Sequence, residues 1–419
     1  MHRHAAYPLI ATLLLAATHA PLVAQQPPPL VIRNVNVIPM DRPEVLPDRT
    51  VVIRDGRIES VGTAASVPAG AIVVDGAGKF LIPGLAEMHA HVQSPQDNPR
   101  ILALYALNGV TTARGMLGRP AHLVLRDSLA RGLVLGPRLI TSGPSFGGGD
   151  FSPAEARRRV REQKEMGYDL LKIHPGPSRA AFDALAETAR QLGIPFAGHV
   201  PADVGLDRAI AAGYHTIDHL DGFMEALVPP GATGVPAQGG WFGLNLVPHV
   251  DEGRIPGIVA RLREAGIAVV PTQTLMENYV SDLTGDELAA RPEYAYWIPA
   301  QLEQWRNQKN ARLRHPATPP AAQRARYTEI RRRFIKALYD GGVPVLLGSD
   351  APQVWNVPGF SAHRELRLYV DAGLTPYEAL RTGTIEVARH LGEEGRSGVV
   401  RPGARADLLL LDANPLEDI

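Results

Sequence analysis

The chain has 419 residues, 45% of them hydrophobic, with Lys plus Arg and Asp plus Glu balanced at 43 each. That length accommodates one large barrel or two ordinary domains, and a formal charge of zero gives no support for nucleic-acid or polybasic membrane binding. Cysteine is absent, which excludes disulfides, thiolate metal sites and a cysteine nucleophile, and leaves any chemistry to His, Asp, Glu, Lys and hydroxyls.

The N-terminus reads as a targeting signal. A weakly basic start, MHRHAAY, precedes the apolar run PLIATLLLAATHAPLVA, which ends in small residues. Residues 1–24 are expected to be a signal peptide cleaved after Ala24, because Thr18, His19 and Pro21 interrupt an apolar core too short to span a bilayer comfortably. A retained anchor is the alternative. The expected mature protein is exported, periplasmic or secreted, with no stable membrane association.

Residues 25–83 read as short strands joined by tight turns: LVIRNVNVIPM alternates, and VVIRDGRIESVG and AIVVDGAGKFLIPG each carry a D-G turn. Over residues 84–384 strands alternate with amphipathic helical stretches. The strand candidates are GLAEMHAHV, GVTTARG, PRLITSG, DLLKIHP, IPFAGHV, HTIDHL, IAVVPTQ and VPVLLGSD. SPAEARRRVREQKEMG and SRAAFDALAETARQLG are helical, each closing on a glycine. Eight strand–helix repeats predict an α/β protein built on a (β/α)8 TIM barrel. An open doubly wound sheet would usually carry a Gly-rich phosphate fingerprint after its first strand, and none is present. Residues 385–419 return to strand-like sequence and are expected to complete the N-terminal unit as a small β-sandwich built from both chain ends. Two connections, 221–256 and 279–330, are long for barrel loops and are expected to shape a substrate pocket or lid.

Sorting polar residues by strand position yields a pattern. His89 and His91 end the first strand, Lys172 the fourth, His199 the fifth, His219 the sixth and Asp350 the eighth. All fall at C-terminal strand ends, the face on which barrel active sites are built. Singly, each has a plainer reading: a hydrogen-bonded strand histidine, a helix-capping Asp350, a Lys172 that snorkels to the barrel mouth. Their coincidence on one face favours a site. His122, His249, His315 and His390 are assigned to surface or packing. Four imidazoles and a carboxylate suit Zn²⁺ or another borderline divalent ion better than Mg²⁺ or Ca²⁺. Two metals would use all five ligands if another anion bridged them, which an unmodified ammonium cannot do, having no acceptor.

This ordered set resembles the amidohydrolase superfamily, in particular binuclear metal-dependent hydrolases similar to imidazolonepropionase and the Xaa-Pro and Xaa-Arg dipeptidases. FLIPGLAEMHAHV carries the H-x-H pair, and GVTTARG, IPFAGHV, TIDHL, LLGSDA, LTPYEALRTGTIEVARHLG and RPGARADLLLLD follow in the family's order. The resemblance implies two divalent ions, Zn²⁺ by ligand type, with His89, His91 and Asp350 on one and His199 and His219 on the other. It also implies a carboxylated Lys172 that bridges them. The implied reaction is cleavage of an amide, of dipeptide or N-acyl amino acid type, by a metal-bridging hydroxide, with Asp350 as general base and then acid. Arg114, His174 and Tyr279 are candidate substrate-binding residues, with packing (Arg114, Tyr279) or support of a ligand (His174) as the other reading. Ester, lactone or organophosphate hydrolysis is the alternative chemistry. A mononuclear deaminase leaves Lys172 without a role, and an inactive binding module would be expected to lack a ligand. The expected partner is a small-molecule amide or peptide, without nucleic acid, and a homo-oligomer is left open. Two features depart from the family pattern: Gly115, where an acidic residue often follows the arginine, and a C-terminus that ends after one convincing strand.

Overall fold

The computed structural model describes residues 27–63, 66–93 and 97–419; the expected signal peptide, residues 1–24, lies outside them. The chain forms a mixed α/β structure. Its first strands are β1 (Leu30–Val37), β2 (Leu46–Arg54), β3 (Arg57–Gly62), β4 (Ile72–Asp75) and β5 (Phe80–Pro83). The D-G turn between β2 and β3 has positive φ at both residues, 50° at Asp55 and 71° at Gly56, the twist that closes a two-residue hairpin. β1 pairs antiparallel with β2 and parallel with β4 and β5. β13 (Leu408–Leu411) then pairs antiparallel with β5, Leu408 opposite Pro83. Both chain ends therefore contribute to one six-stranded sheet, whose apolar face packs on Ile385, Val399 and Val400.

Gly84 separates β5 from a series of parallel strands: β6 (Leu85–Ala90), β7 (Val110–Gly115), β8 (Arg138–Thr141), β9 (Leu171–Ile173), β10 (Phe196–Gly198), β11 (Thr216–Asp218) and β12 (Ala268–Val270). β6, β7 and β8 form one sheet, and β9 to β12 another. Backbone bonds continue beyond both. Gly143 N donates to Leu170 O and Phe146 N to Lys172 O, joining the chain after β8 to β9. The segment 343–350 bonds to β12 on one side, Leu346 N to Val269 O, and receives Met88 N from β6 at Leu347 O on the other. β9 to β12 are buried at every position, as expected for parallel strands covered on both faces. The two helical stretches expected from sequence are Pro153–Glu165 and Arg179–Leu192, capped by the Ser152 and Ser178 side chains. Among the described residues no helix is long and apolar enough to cross a membrane.

The long connections behave differently from each other. The first supplies the helix Phe223–Leu227 and the 3₁₀ stretch Trp241–His249, which line the principal cavity. The second, expected to share that task, contributes no lining residue. It forms the helices Pro299–Arg314 and Ala321–Asp340, and the Trp305 ring of the first lies 5.9 Å from those of Trp297 and Trp355.

Arg331, on the latter helix, ties this outer layer to the strand ends. It is 1% exposed and donates to the backbone oxygens of His219 and Pro271 at 2.7 and 2.8 Å and to Gln273 Oε1 at 2.9 Å. No carboxylate pairs with it among the described residues, so three neutral acceptors share its charge. Arg331→Leu would leave them unsatisfied at roughly 1–3 kcal/mol each. The expected loss is at least about 3 kcal/mol in urea unfolding; a change under about 1 kcal/mol would show that water replaces the guanidinium freely.

Candidate metal centre

The ends of five strand segments deliver polar side chains to one cavity of ≈ 1610 Å³. His89 and His91 extend from β6, Lys172 and His174 from β9, His199 from β10, His219 from β11 and Asp350 from the segment 343–350. Strand geometry explains the doublets, since residues two apart share a face. The backbone is contorted where the strands give way to loops: His219, Leu220, Thr272 and Asp350 have φ of 67°, 54°, 48° and 63°. Non-glycine residues occupy this left-handed region only when the surroundings over-determine it, commonly at functional sites.

The polar atoms converge. Asp350 Oδ1 lies 2.7 Å from His91 Nε2 and 3.5 Å from His89 Nε2, and His89, His91 and Asp350 each present a ligand atom within 4.8 Å of the others. The imidazoles of His89 and His219, and of His219 and His199, have ring centroids 4.5 Å apart; His174 stacks on His199 at 4.9 Å. Lys172 is fully buried and its Nζ is 3.3 Å from His89 Nε2. No carboxylate forms an ion pair with it among the described residues. Gly198 makes room for it: a Cβ there would lie 2.4 Å from Ile173 O and 2.9 Å from Lys172 Cδ.

Three further residues orient the imidazoles. Asp221 Oδ2 is 3.0 Å from His199 Nδ1, and Thr272 Oγ1 is 2.9 Å from His219 Nδ1. With the proton on Nδ1, each ring leaves its Nε2 lone pair for the cavity, and His219 Nε2 is buried without a hydrogen-bond partner. Asp218 Oδ2 is 2.8 Å from His89 Nδ1, a short contact that is not aligned as a hydrogen bond. Asp350 Oδ1 likewise lacks an aligned donor. Buried, unsatisfied lone pairs on imidazole and carboxylate pointing into one space fit a divalent cation of the zinc type.

Burial dominates the electrostatics. It drives His89 and His219 well below the usual histidine range, and His199 and His174 to about 3 and about 2, with the Lys172 charge contributing to each. It lowers Lys172 to about 8 and raises Asp221 and Glu87 to about 7. The imidazoles are thus neutral at physiological pH, the form that binds metal.

Two sequence-derived pocket candidates are placed elsewhere. Arg114 is 1% exposed beneath the cavity, donating to Met88 O at 2.7 Å and Thr216 Oγ1 at 3.0 Å, with Asp218 Oδ1 at 3.4 Å. It faces the interior between strands, where its charge is matched by Asp218. Tyr279 is not at a strand end, because the chain turns at Thr272 into the helix Gln273–Val280. That helix carries Tyr279 behind the wall, where it stacks on Trp241 at 4.1 Å. His390, assigned to packing, does pack, its ring centroid 3.8 Å from that of His215. The sequence reading missed Glu87, Asp218 and Asp221. Each lies within two residues of a candidate histidine, in EMH, DH and HLD, a signal available but not used. Glu87 accepts from Ser349 N at 2.7 Å and Ser349 Oγ at 2.8 Å, clamping β6 to the segment that carries Asp350.

The amidohydrolase family profile matches residues 80–419. An imidazolonepropionase from Ralstonia nicotianae is 26% identical over 87% of this chain and 86% of its own. Among solved structures, a bottromycin amidohydrolase superposes with TM-score 0.69 at 25% identity, over 95% of this chain and 86% of that one. A Xaa-Pro dipeptidase with methionine bound in its active site superposes with TM-score 0.66 at 20% identity, over 93% and 95%; at that identity the likeness concerns the fold.

The neutral imidazoles carry a pH signature. Their folded pKa values lie below the unfolded one, so unfolding takes up protons once the pH falls below about 6.5, and stability drops with it. Replacing His174 by Asn is expected to flatten the stability slope of chelated protein between pH 6 and 5 by up to about 1.4 kcal/mol per pH unit. Parallel slopes for parent and variant in urea titrations would show that His174 is not held neutral.

Proposed function

The chain belongs to the amidohydrolase family, hydrolases of carbon–nitrogen bonds, and on that premise we propose that its cavity hydrolyses the amide of a dipeptide or N-acyl amino acid at a two-metal centre. In this reading the parallel strands form a (β/α)8 barrel; bonds from the segment 343–350 to both β12 and β6 support it. The two-ended sheet would be the companion β-sandwich. Composition of residues 1–24 supports export. His89, His91 and Asp350 would hold one ion and His199 and His219 the other, and four imidazoles with a carboxylate favour Zn²⁺. Bound divalent ions supply Lewis-acid polarisation of the carbonyl and lower the pKa of water toward neutrality.

The observation that carries this reading is Lys172, fully buried and without an anionic partner among the described residues. A permanent ammonium there would be costly. With burial lowering it to about 8, a fraction of the amine is neutral near pH 7. Neutral Nζ can attack CO₂, forming an N–C bond and losing an N–H proton, and the carbamate so made is an anion with acceptor oxygens. Asp350 Oδ accepts the proton of the attacking water and returns it to the leaving nitrogen, as base and then acid. Asp221 and Thr272 keep the imidazoles of His199 and His219 in one tautomer and orientation throughout.

Metal analysis is expected to find close to two divalent ions per chain; one or none would sink the two-metal centre. Lys172→Ala is expected to lose more than about 100-fold in activity, with partial rescue by formate or acetate, whereas full activity would refute the bridging role. A screen of dipeptides, N-acyl amino acids and lactones with metal-loaded protein should give turnover of amides, and turnover confined to lactones would overturn the amide assignment.

A further inference from the structure

The helix Gln273–Val280 follows β12 through Pro271 and Thr272, and Thr272 stands at its N-cap. A threonine there ordinarily has extended backbone and turns its hydroxyl onto an N–H of the first helical turn. Thr272 does neither. It is held at φ 48°, ψ 47° and makes no cap hydrogen bond; its Oγ1 lies 2.9 Å from His219 Nδ1 instead. A β-branched residue is a genuine outlier in the left-handed region, so the surroundings must impose the conformation.

Glu365 does the capping that Thr272 leaves undone. It comes from the helix Phe360–Asp371, 92 positions from Gln273, and its two carboxylate oxygens accept from Gln273 N at 2.7 Å and Thr274 N at 2.6 Å. Thr272, Gln273, Thr274 and Glu365 are all 0% exposed, so bulk water does not reach those N–H groups and a protein acceptor is required. A helix N-terminus favours a negative group at this position. Arg331 works on the carbonyls of the same turn, donating to Pro271 O and His219 O. An acid and a base from two different helices therefore fix the turn from its N–H and its C=O groups. At its centre the Thr272 hydroxyl is left free for His219. His219 Nε2 is buried without a hydrogen-bond partner, so a ring proton finds an acceptor only at Nδ1, and that acceptor is Thr272 Oγ1.

We propose that Glu365 is a positioning residue of the metal centre: by capping the helix Gln273–Val280 in place of Thr272, it releases the Thr272 hydroxyl to hold the His219 imidazole with Nε2 toward the ion. The inference rests on the reading of His219 as a metal ligand and does not involve the substrate.

Metal retention separates this role from plain support of the fold. In full-length, metal-loaded protein, Thr272→Val and Glu365→Gln are each expected to weaken retention of one divalent ion against a competing chelator at least ~10-fold. The double variant is expected to match the weaker single variant, since both act through one hydrogen bond. Retention equal to the parent's in Glu365→Gln, whatever its stability in urea, overturns the proposal, as does multiplication of the two effects in the double variant. Should the variants not fold, reciprocity supplies a readout in the parent alone, because a cap that supports the ion must be supported by it. Metal loading is expected to slow amide exchange at Gln273 and Thr274 at least ~10-fold beyond any slowing in the helix Arg179–Leu192; equal slowing in both overturns the proposal. A parent that binds no ion would contradict the two-metal reading and leave the hydrogen bond itself to decide. In that metal-free protein the His219 Nδ1 proton, followed by NMR, is expected to exchange with water at least ~10-fold faster in Glu365→Gln than in the parent, and equal rates overturn the positioning role.

Discussion

The cost of burying a charge governs this structure. Lys172 sits in a strand that is buried at every position, with an imidazole 3.3 Å from its Nζ and no carboxylate ion-paired to it among the described residues. A lone buried cation is tolerated only if it sheds its proton or finds an anion. Everything around it is consistent with that demand: neutral imidazoles that add no charge of their own, and Asp218 and Asp350 close enough to hold its pKa up against burial. Conversion to a carbamate would turn the liability into a ligand.

The same constraint reaches the residues behind the site. The imidazoles of His199, His219 and His89 each have Nδ1 turned toward an oxygen, from Asp221, Thr272 and Asp218 respectively. Those oxygens depend in turn on deeper groups. Asp218 is matched by Arg114, and the backbone at His219 and Pro271 is held by Arg331. Polar groups in low dielectric are expensive when unpaired and rigid when paired. Layered pairing of this kind is what lets non-glycine residues persist at positive φ around the cavity mouth.

The outer shell has its own logic. The 279–330 insertion, though it contributes nothing to the cavity lining, braces it: Arg312 stacks on Tyr279, Tyr279 on Trp241, and Trp241 against Phe242, which faces the histidines. A wall supported from behind can present a fixed aromatic surface beside the histidines, ordered before any substrate arrives.

Much of this was legible in the linear chain. Alternation of strand and helix patterns located the parallel strands, and histidines or acids at successive strand ends identified the cavity residues, because strand periodicity and chain direction are local properties. The D-G turns and the serine caps were readable for the same reason. Arg114 and Tyr279 stayed open between pocket and packing because residue type and strand position do not say whether a long side chain points into a cavity or between strands; Arg114 turns inward to meet Asp218, and the turn at Thr272 carries Tyr279 to stack on Trp241. Glu87, Asp218 and Asp221 were visible as letters, yet their roles depend on which neighbour is 3 Å away. The sequence by itself determined which side chains can bind a metal and in what order they occur. Only the tertiary structure decided which of their lone pairs are free and which charges are unpaired, since those depend on contacts between residues from 22 to more than a hundred positions apart.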